Sequence, residues 1–155
     1  MGVELVPAGP EDREVLYRLL QYSLYEESVY DGNEMGEDGL FAYPWFDAYF
    51  LEEGREAYLI RKSGKLAGFA LIRRTASGHS MAEFLVLPPY RRRGVGRAAA
   101  LACFRRYPGA WEVAPSQGSE AAFRFWQRVI AGYTGKEPRF EAGAFVFSHA
   151  GATVS

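Results

Sequence analysis

The 155-residue sequence predicts an α/β (α+β) fold, a mixed sheet with helices packed on it. Three observations carry the prediction. Periodicity and turn residues alternate in the order β-α-α-β-β-β-α-β-α-β-β. A hairpin is legible at Ala57–Arg73, where Ala57–Arg61 alternates, Ser63-Gly64-Lys65 turns and Leu66–Arg73 returns. A strong helix at Ser119–Ile130 gathers Ala122, Phe123, Trp126, Val129 and Ile130 on one side.

In chain order, Val3–Val6 is a short apolar strand closed by Pro7. A helix follows from about Glu11 to Tyr25, with Val15, Leu16, Leu19 and Leu20 at helical spacing and acids in its first turn. From Glu26 to Asp38 the chain has six acidic residues, no basic ones and two glycines, the pattern of an irregular loop. Pro44–Glu53 is a second amphipathic stretch, ended by Gly54, and the hairpin comes next. Met81–Leu87 is an apolar strand interrupted by Glu83 and stopped by Pro88-Pro89. Val95–Tyr107 has helical composition and ends at Pro108-Gly109, and Trp111–Ala114 is a short strand. The last strands fall at Tyr133–Thr134 or Arg139–Phe140, and at Ala144–Ser148.

Composition narrows the function classes. Eighteen Lys and Arg against nineteen Asp and Glu leave a net charge of −1, so the molecule as a whole does not attract nucleic acid or anionic membranes. Any anion site must be local. One cysteine, Cys103, excludes an internal disulfide and a Cys-rich zinc site, and His79 and His149 have no metal-ligand spacing, so no metal is expected. Without repeats, linkers, a secretory leader or a membrane-length apolar run, the expectation is a cytoplasmic protein with one domain over residues 1–149 and a frayed tail at 150–155.

The local anion site is "LVLPPYRRRGVGRAAALACFRRYPG", Leu85 to Gly109. Arg91, Arg92 and Arg93 stand directly before Gly94-Val95-Gly96, between an apolar strand and an alanine-rich helix. A solvated basic loop would need no further reason. Gly94 to Ala99 also fits the dinucleotide pattern G-x-G-x-x-A, with Glu112 near the ribose-binding distance. Against that reading, Pro88 to Arg93 separate the turn from its strand, and too little chain follows for further βαβ units. No G-x-x-x-x-G-K-[ST] run exists, and a nucleic-acid site would need a wider basic stripe.

"RRRGVG" (Arg91 to Gly96) fits [RQ]-x-x-G-x-[GA], and here the chain resembles the GCN5-related N-acetyltransferase (GNAT) superfamily. "VLPPYRRRGVGRAAA" (Val86 to Ala100) is similar to that family's strand 4, turn and helix 3, and "SEAAFRFWQRVIAGY" (Ser119 to Tyr133) to its helix 4. "PGAWEV", "FWQRVI" and "YTG" resemble a group of predicted bacterial acetyltransferases within it. The resemblance covers nearly the whole chain. It implies a mostly antiparallel central sheet with helices on both faces, and strands 4 and 5 splayed to admit the pantetheine arm.

The resemblance also implies roles. The pyrophosphate of acetyl-CoA would lie on Arg91, Arg92, Arg93, Gly94, Val95, Gly96 and Arg97, where backbone N–H groups open a helix. Leu85, Val86 and Leu87 would pair with the arm, the N–H of Leu87 or Val86 polarising the thioester carbonyl. Glu83, an acid within an apolar strand, is the candidate base, unless it turns outward or pairs with an Arg. Trp126 stands where many relatives have an acid tyrosine, and Ser119 where they have an asparagine. Tyr133 is then a core residue first and an acid second, and Cys103 simply packs.

The implied activity is acetyl-CoA-dependent N-acetyl transfer by direct attack of a primary amine on a small molecule or peptide, in a monomer or homodimer. The alternative is an acyl-CoA-binding domain that has lost catalysis. The acids of Glu26–Asp38 either favour a cationic acceptor or form a solvated loop.

Overall fold

The computed structural model describes residues 2–149, so the tail at 150–155 lies outside the described residues. The elements are β1 (Val3–Pro7), α1 (Arg13–Asp31), α2 (Ala48–Leu51), β2 (Arg55–Lys62), β3 (Lys65–Arg74), β4 (His79–Val86), α3 (Val95–Arg106), β5 (Gly109–Val113), α4 (Glu120–Thr134), β6 (Arg139–Glu141) and β7 (Ala144–His149), in the expected order. Seven strands form one sheet in the order β1-β2-β3-β4-β5-β7-β6. Every pairing is antiparallel except β4 with β5. With one parallel pair there is no βαβ series, and the dinucleotide reading of the glycine turn falls.

The β4–β5 contact is brief. His79 faces Trp111 and Ser80 faces Glu112, and there the ladder stops, although β4 runs on to Val86. The strands part towards the carboxyl end of β4, as the resemblance implied.

Helices cover both faces. Leu16, Leu19, Leu20 and Leu24 of α1 bury against Leu59, Phe69, Leu71 and Leu85 of the sheet. On the other face Phe104 of α3 and Trp126, Val129 and Ile130 of α4 close over Ile72, Met81, Trp111 and Phe145. Each buried side chain of this size contributes about 1.5–3 kcal/mol.

Two β-bulges shape the middle of the sheet. In β4, Leu71 faces Glu83 but Ile72 faces Met81, which makes Ala82 an extra residue. Met81 belongs to the α3/α4 face, and strict alternation would put Glu83 there too. The bulge reverses the parity, so Glu83 points instead to α1. A second bulge lies between β2 and β3, where Ala67 is the extra residue beside Gly68.

Three sequence expectations are corrected. The helix expected to stop near Tyr25 runs to Asp31 and ends at Gly32, because Glu26 to Asp31 contains neither Gly nor Pro and glutamate is a good helix former. Half of the expected acidic loop is therefore helix. The stretch Pro44–Glu53 is mostly tight turns, with Phe46 N–H to Tyr43 O and Tyr49 N–H to Phe46 O, and only Ala48–Leu51 is α-helical. Tyr133 and Thr134 belong to α4, and the sixth strand is Arg139–Glu141.

The remaining loop is tied at its far end. The Gln21 amide donates to Phe41 O at 2.9 Å and accepts from Phe41 N–H at 2.8 Å, as a neighbouring strand would.

Gly68 holds β4 in place by having no side chain: a Cβ there would lie 2.0 Å from the Leu85 carbonyl oxygen. Neither partner is a flexible side chain that could yield. Gly68→Ala is expected to cost about 1–3 kcal/mol, the range of overpacking substitutions. The midpoint of chemical denaturation checks this, and an unchanged midpoint would contradict the close approach.

Candidate active site

A cleft of about 970 Å³ opens where β4 and β5 part. Its walls are Phe84, Leu85 and Val86 of β4, the last turns of α1, the glycine turn, and α4 with its preceding loop. Tyr30 at the end of α1 reaches the loop before α4, where a Cβ on Gly118 would touch its ring at 3.3 Å. The helix and the loop thus meet across the cleft.

The glycine turn is built for close approach to an anion. Gly94, the residue before α3, has φ 80°, a left-handed conformation that Gly adopts without cost. Arg92 is also left-handed, at φ 62°, a strained state for a residue with a side chain. Ala98 N–H is bonded to Gly94 O, so the N–H groups of Val95, Gly96 and Arg97 precede the helical ladder. Gly96 is packed tightly as well, since a Cβ there would lie 3.2 Å from the Phe125 ring. The cradle and its positive helix end fit a phosphate group.

The side chains there have separate tasks. Arg92 and Arg97 line the cleft, whereas Arg93 is exposed outside its lining. Val95 is 1 % exposed and packs on Ile60, Ala67 and Ala99, so only its N–H faces the turn. Arg91 reaches back over the cleft: Nε donates to Val86 O at 2.6 Å and Nη2 to both Glu26 carboxylate oxygens at 3.2 Å. It joins the end of β4 to α1.

Backbone directions along β4 follow from its register. Leu87 N–H donates to Ala67 O at 2.7 Å, and Leu85 faces Phe69. Antiparallel alternation then turns the N–H and C=O groups of Phe84 and Val86 away from β3, into the gap. Of the two N–H groups expected to face a thioester, that of Leu87 is consumed by the sheet. That of Val86 is free to act.

Across the cleft, α1 changes character along one stripe. Leu16, Leu20 and Leu24 are buried, but Ser23 and Glu27, on the same side, meet Glu83 from β4. The Ser23 hydroxyl is 3.4 Å from an oxygen of each carboxyl and so brings the two together. Burial, followed by the charge of Glu27, pushes Glu83 up to about 9. Burial also raises Glu27 and, foremost among its causes, the nearby phenol of Tyr43. Glu26, Glu27 and Asp31 crowd the negative end of the α1 dipole, with no basic residue in its last turn. This arrangement costs folding energy.

Other expected residues divide in the same way. Ser119 lines the cleft and caps α4, its Oγ accepting from Ala122 N–H at 3.1 Å. Trp126 lines it too, edge-on to Phe84 at 5.0 Å and to Phe125 at 4.9 Å. Tyr133 lies outside the lining, its ring 5.3 Å from Phe104 and 4.6 Å from His149, with its buried hydroxyl lacking a protein partner. The structure does not bring it to the cleft. Cys103 is buried in α3, and burial pushes its thiol up to about 12.

Sequence reasoning missed Ser23, Tyr25, Val29 and Tyr30 on α1, and Phe125 and Arg128 on α4. For α1 the signal was there: no helix breaker precedes Gly32. Among the described residues no group of three His, Cys, Asp or Glu could hold a metal ion, and no helix is long and apolar enough to cross a membrane.

A seven-stranded sheet that parts at β4 and β5 above a left-handed glycine turn defines an acyltransferase type of fold. The model of the acetyltransferase (GNAT) family matches residues 19–131, and the chain belongs to that family. Solved structures agree on the fold. The PaiA N-acetyltransferase of Thermoplasma acidophilum, in complex with coenzyme A, superposes with TM-score 0.62 at 13% identity over 94% of this chain and 97% of that one. An acetyltransferase from Thermus thermophilus gives 0.66 at 18% over 95% and 97%. The ribosomal-protein-S18-alanine N-acetyltransferase of Escherichia coli gives 0.60 at 16% over 99% of both chains.

The raised Glu83 carboxyl has a consequence for stability. The folded chain keeps a proton there that the unfolded chain releases above its ordinary value of 4.5, so the group's contribution is lost as pH rises from that value towards about 9. Melting temperatures of wild type and Glu83→Gln across this range should show the wild type falling more steeply. Parallel curves would contradict the assignment.

Proposed function

We propose that the protein is an acetyl-CoA-dependent N-acetyltransferase whose acceptor is a primary amine, cationic when free, on a small molecule or a peptide. The carrying observation is the cleft whose lining runs from Gly94, Gly96 and Arg97 of the anion cradle to Glu27, with Glu83 set behind it against Ser23. The coenzyme A complex of the Thermoplasma protein supports this reading through the shared fold. Residues 1–149 form the catalytic unit in this reading, and the enzyme acts in the cytoplasm.

The N–H groups of Val95, Gly96 and Arg97, with the Arg92 and Arg97 guanidiniums, would hold the pyrophosphate. Bound acetyl-CoA supplies a thioester carbonyl as the acceptor of the amine nitrogen. Backbone groups of Phe84 and Val86 offer strand-like hydrogen bonds in the gap to an extended ligand. A Val86 N–H aimed at a carbonyl oxygen would contribute about 3 kcal/mol to the barrier, the size of one such donor in acyl transfer. Once its own proton has left to solvent, Glu83 takes a proton from the incoming ammonium group, and the acids of α1 attract that group. With Trp126 in the cleft and Tyr133 outside it, no tyrosine of α4 is placed to donate a proton, and the thiol takes its proton from water.

That last feature also favours a second reading, an acyl-CoA-binding domain without turnover. Calorimetric titration with acetyl-CoA, alongside Gly94→Glu, separates the readings. Binding by the wild type, weakened at least about 100-fold in the variant (~2.7 kcal/mol), is expected. Release of free thiol with a panel of primary amines then marks the enzyme. Tight binding without thiol release favours the second reading, and a folded wild type that does not bind overturns both.

A further inference from the structure

The proton chemistry of the cleft rests on two carboxyls, and only Glu83 stands where the resemblance placed a base. Glu27 comes from a different element, one turn beyond Ser23 on the buried stripe of α1, and it lines the same cleft as Val86. The Ser23 hydroxyl is 3.4 Å from an oxygen of each carboxyl, and like charges brought this close in a buried place do not both ionise, so the pair holds one proton between two residues. The bulge at Ala82 is what aims Glu83 at this partner.

We propose that Glu27 is a positioning residue for the amine-transfer chemistry: across the Ser23 hydroxyl it orients Glu83 and shares one proton with it. The inference rests on the N-acetyltransferase reading of the cleft. The productive form is the pair after its shared proton has left to solvent, and a proton then passes from the ammonium nitrogen to the vacated pair, which restores the shared proton. The N–H bond breaks as the O–H bond forms, and the nitrogen keeps the electron pair that it needs to attack. The proton remains in the pair until solvent removes it.

The surroundings are consistent with this role. From α1, Glu26 and Asp31 add negative charge, and Glu26 is neutralised by Arg91. From the segment before β2, Tyr43 faces the pair, and Arg55 and Arg73 act on its neighbour Tyr49 rather than on Glu83. The sheet side is apolar, with Leu71 opposite Glu83. No cation contacts the pair itself among the described residues; burial is the first cause that raises Glu83, and Glu27 is the first charged one.

The test is a carboxyl titration of the ligand-free protein, by carbon-13 NMR on labelled glutamate, in wild type, Glu27→Gln and Glu83→Gln. The wild type is expected to keep one carboxyl proton above pH 7, absent in Glu83→Gln. In Glu27→Gln the Glu83 midpoint should fall by at least about one pH unit, a tenfold loss of proton affinity. An unchanged midpoint overturns the proposal. With acetyl-CoA and butylamine, the acid limb of kcat/KM should move down by the same amount in Glu27→Gln; a stationary limb with a shifted titration overturns the catalytic link. Wild type that fails to bind acetyl-CoA refutes the reading of the cleft and leaves the shared proton standing.

Discussion

The structure depends on a ladder that stops early. β4 and β5 pair at only two positions and then part, which leaves the outward backbone groups of Phe84 and Val86 without a strand partner. Unpaired peptide groups cost about 1–3 kcal/mol each when buried, so a sheet does not open in this way without compensation. Here the compensation is partial: Arg91 bonds the Val86 carbonyl, and the cleft admits solvent to the rest. The sheet is in effect missing a strand, and the gap offers an extended ligand the hydrogen bonds that a strand would make.

Two local devices convert this gap into a site. The extra residue Ala82 swaps the faces of β4, so that a carboxyl which would have been buried under α4 meets α1 instead. The glycine turn then lifts the chain from β4 into α3 with its first N–H groups turned to the cleft. The arginine between them, Arg91, ties strand to helix by one guanidinium, whose planar fork suits simultaneous carbonyl and carboxylate partners. The glycine turn and Glu27 thus line one cleft, with Glu83 behind it, because β4 bulges and then turns.

Much of the fold was legible in the sequence, because alternation, apolar stripes and Gly/Pro punctuation are local signals. The element order and the hairpin at Ala57–Arg73 follow from them directly, and the anion turn from Arg91–Gly96. The bulge at Ala82 was not legible, since nothing in "MAEFLV" marks which residue is the extra one. Hence Glu83 was visible as an acid in a strand, but its partner was not. The true length of α1 was hidden by composition, because acids at a helix C-terminus oppose the dipole and read as loop. The N–H of Leu87 was misassigned for a related reason: the direction of a backbone group depends on register, which a single strand does not disclose.

The Gln21 clamp on Phe41 bears on how such a site diversifies. Residues 32–40 leave α1 at Gly32 and are recaptured at Phe41, so both ends of the excursion are anchored to the same helix. Closing a longer loop between fixed ends costs only about 0.6 kcal/mol per doubling of its length. Lengthening, shortening or rewriting this segment therefore leaves the carboxyl pair and the anion cradle where they are. The segment after α1 is a replaceable part, and its sequence can be rewritten by evolution or by design without re-solving the folding problem.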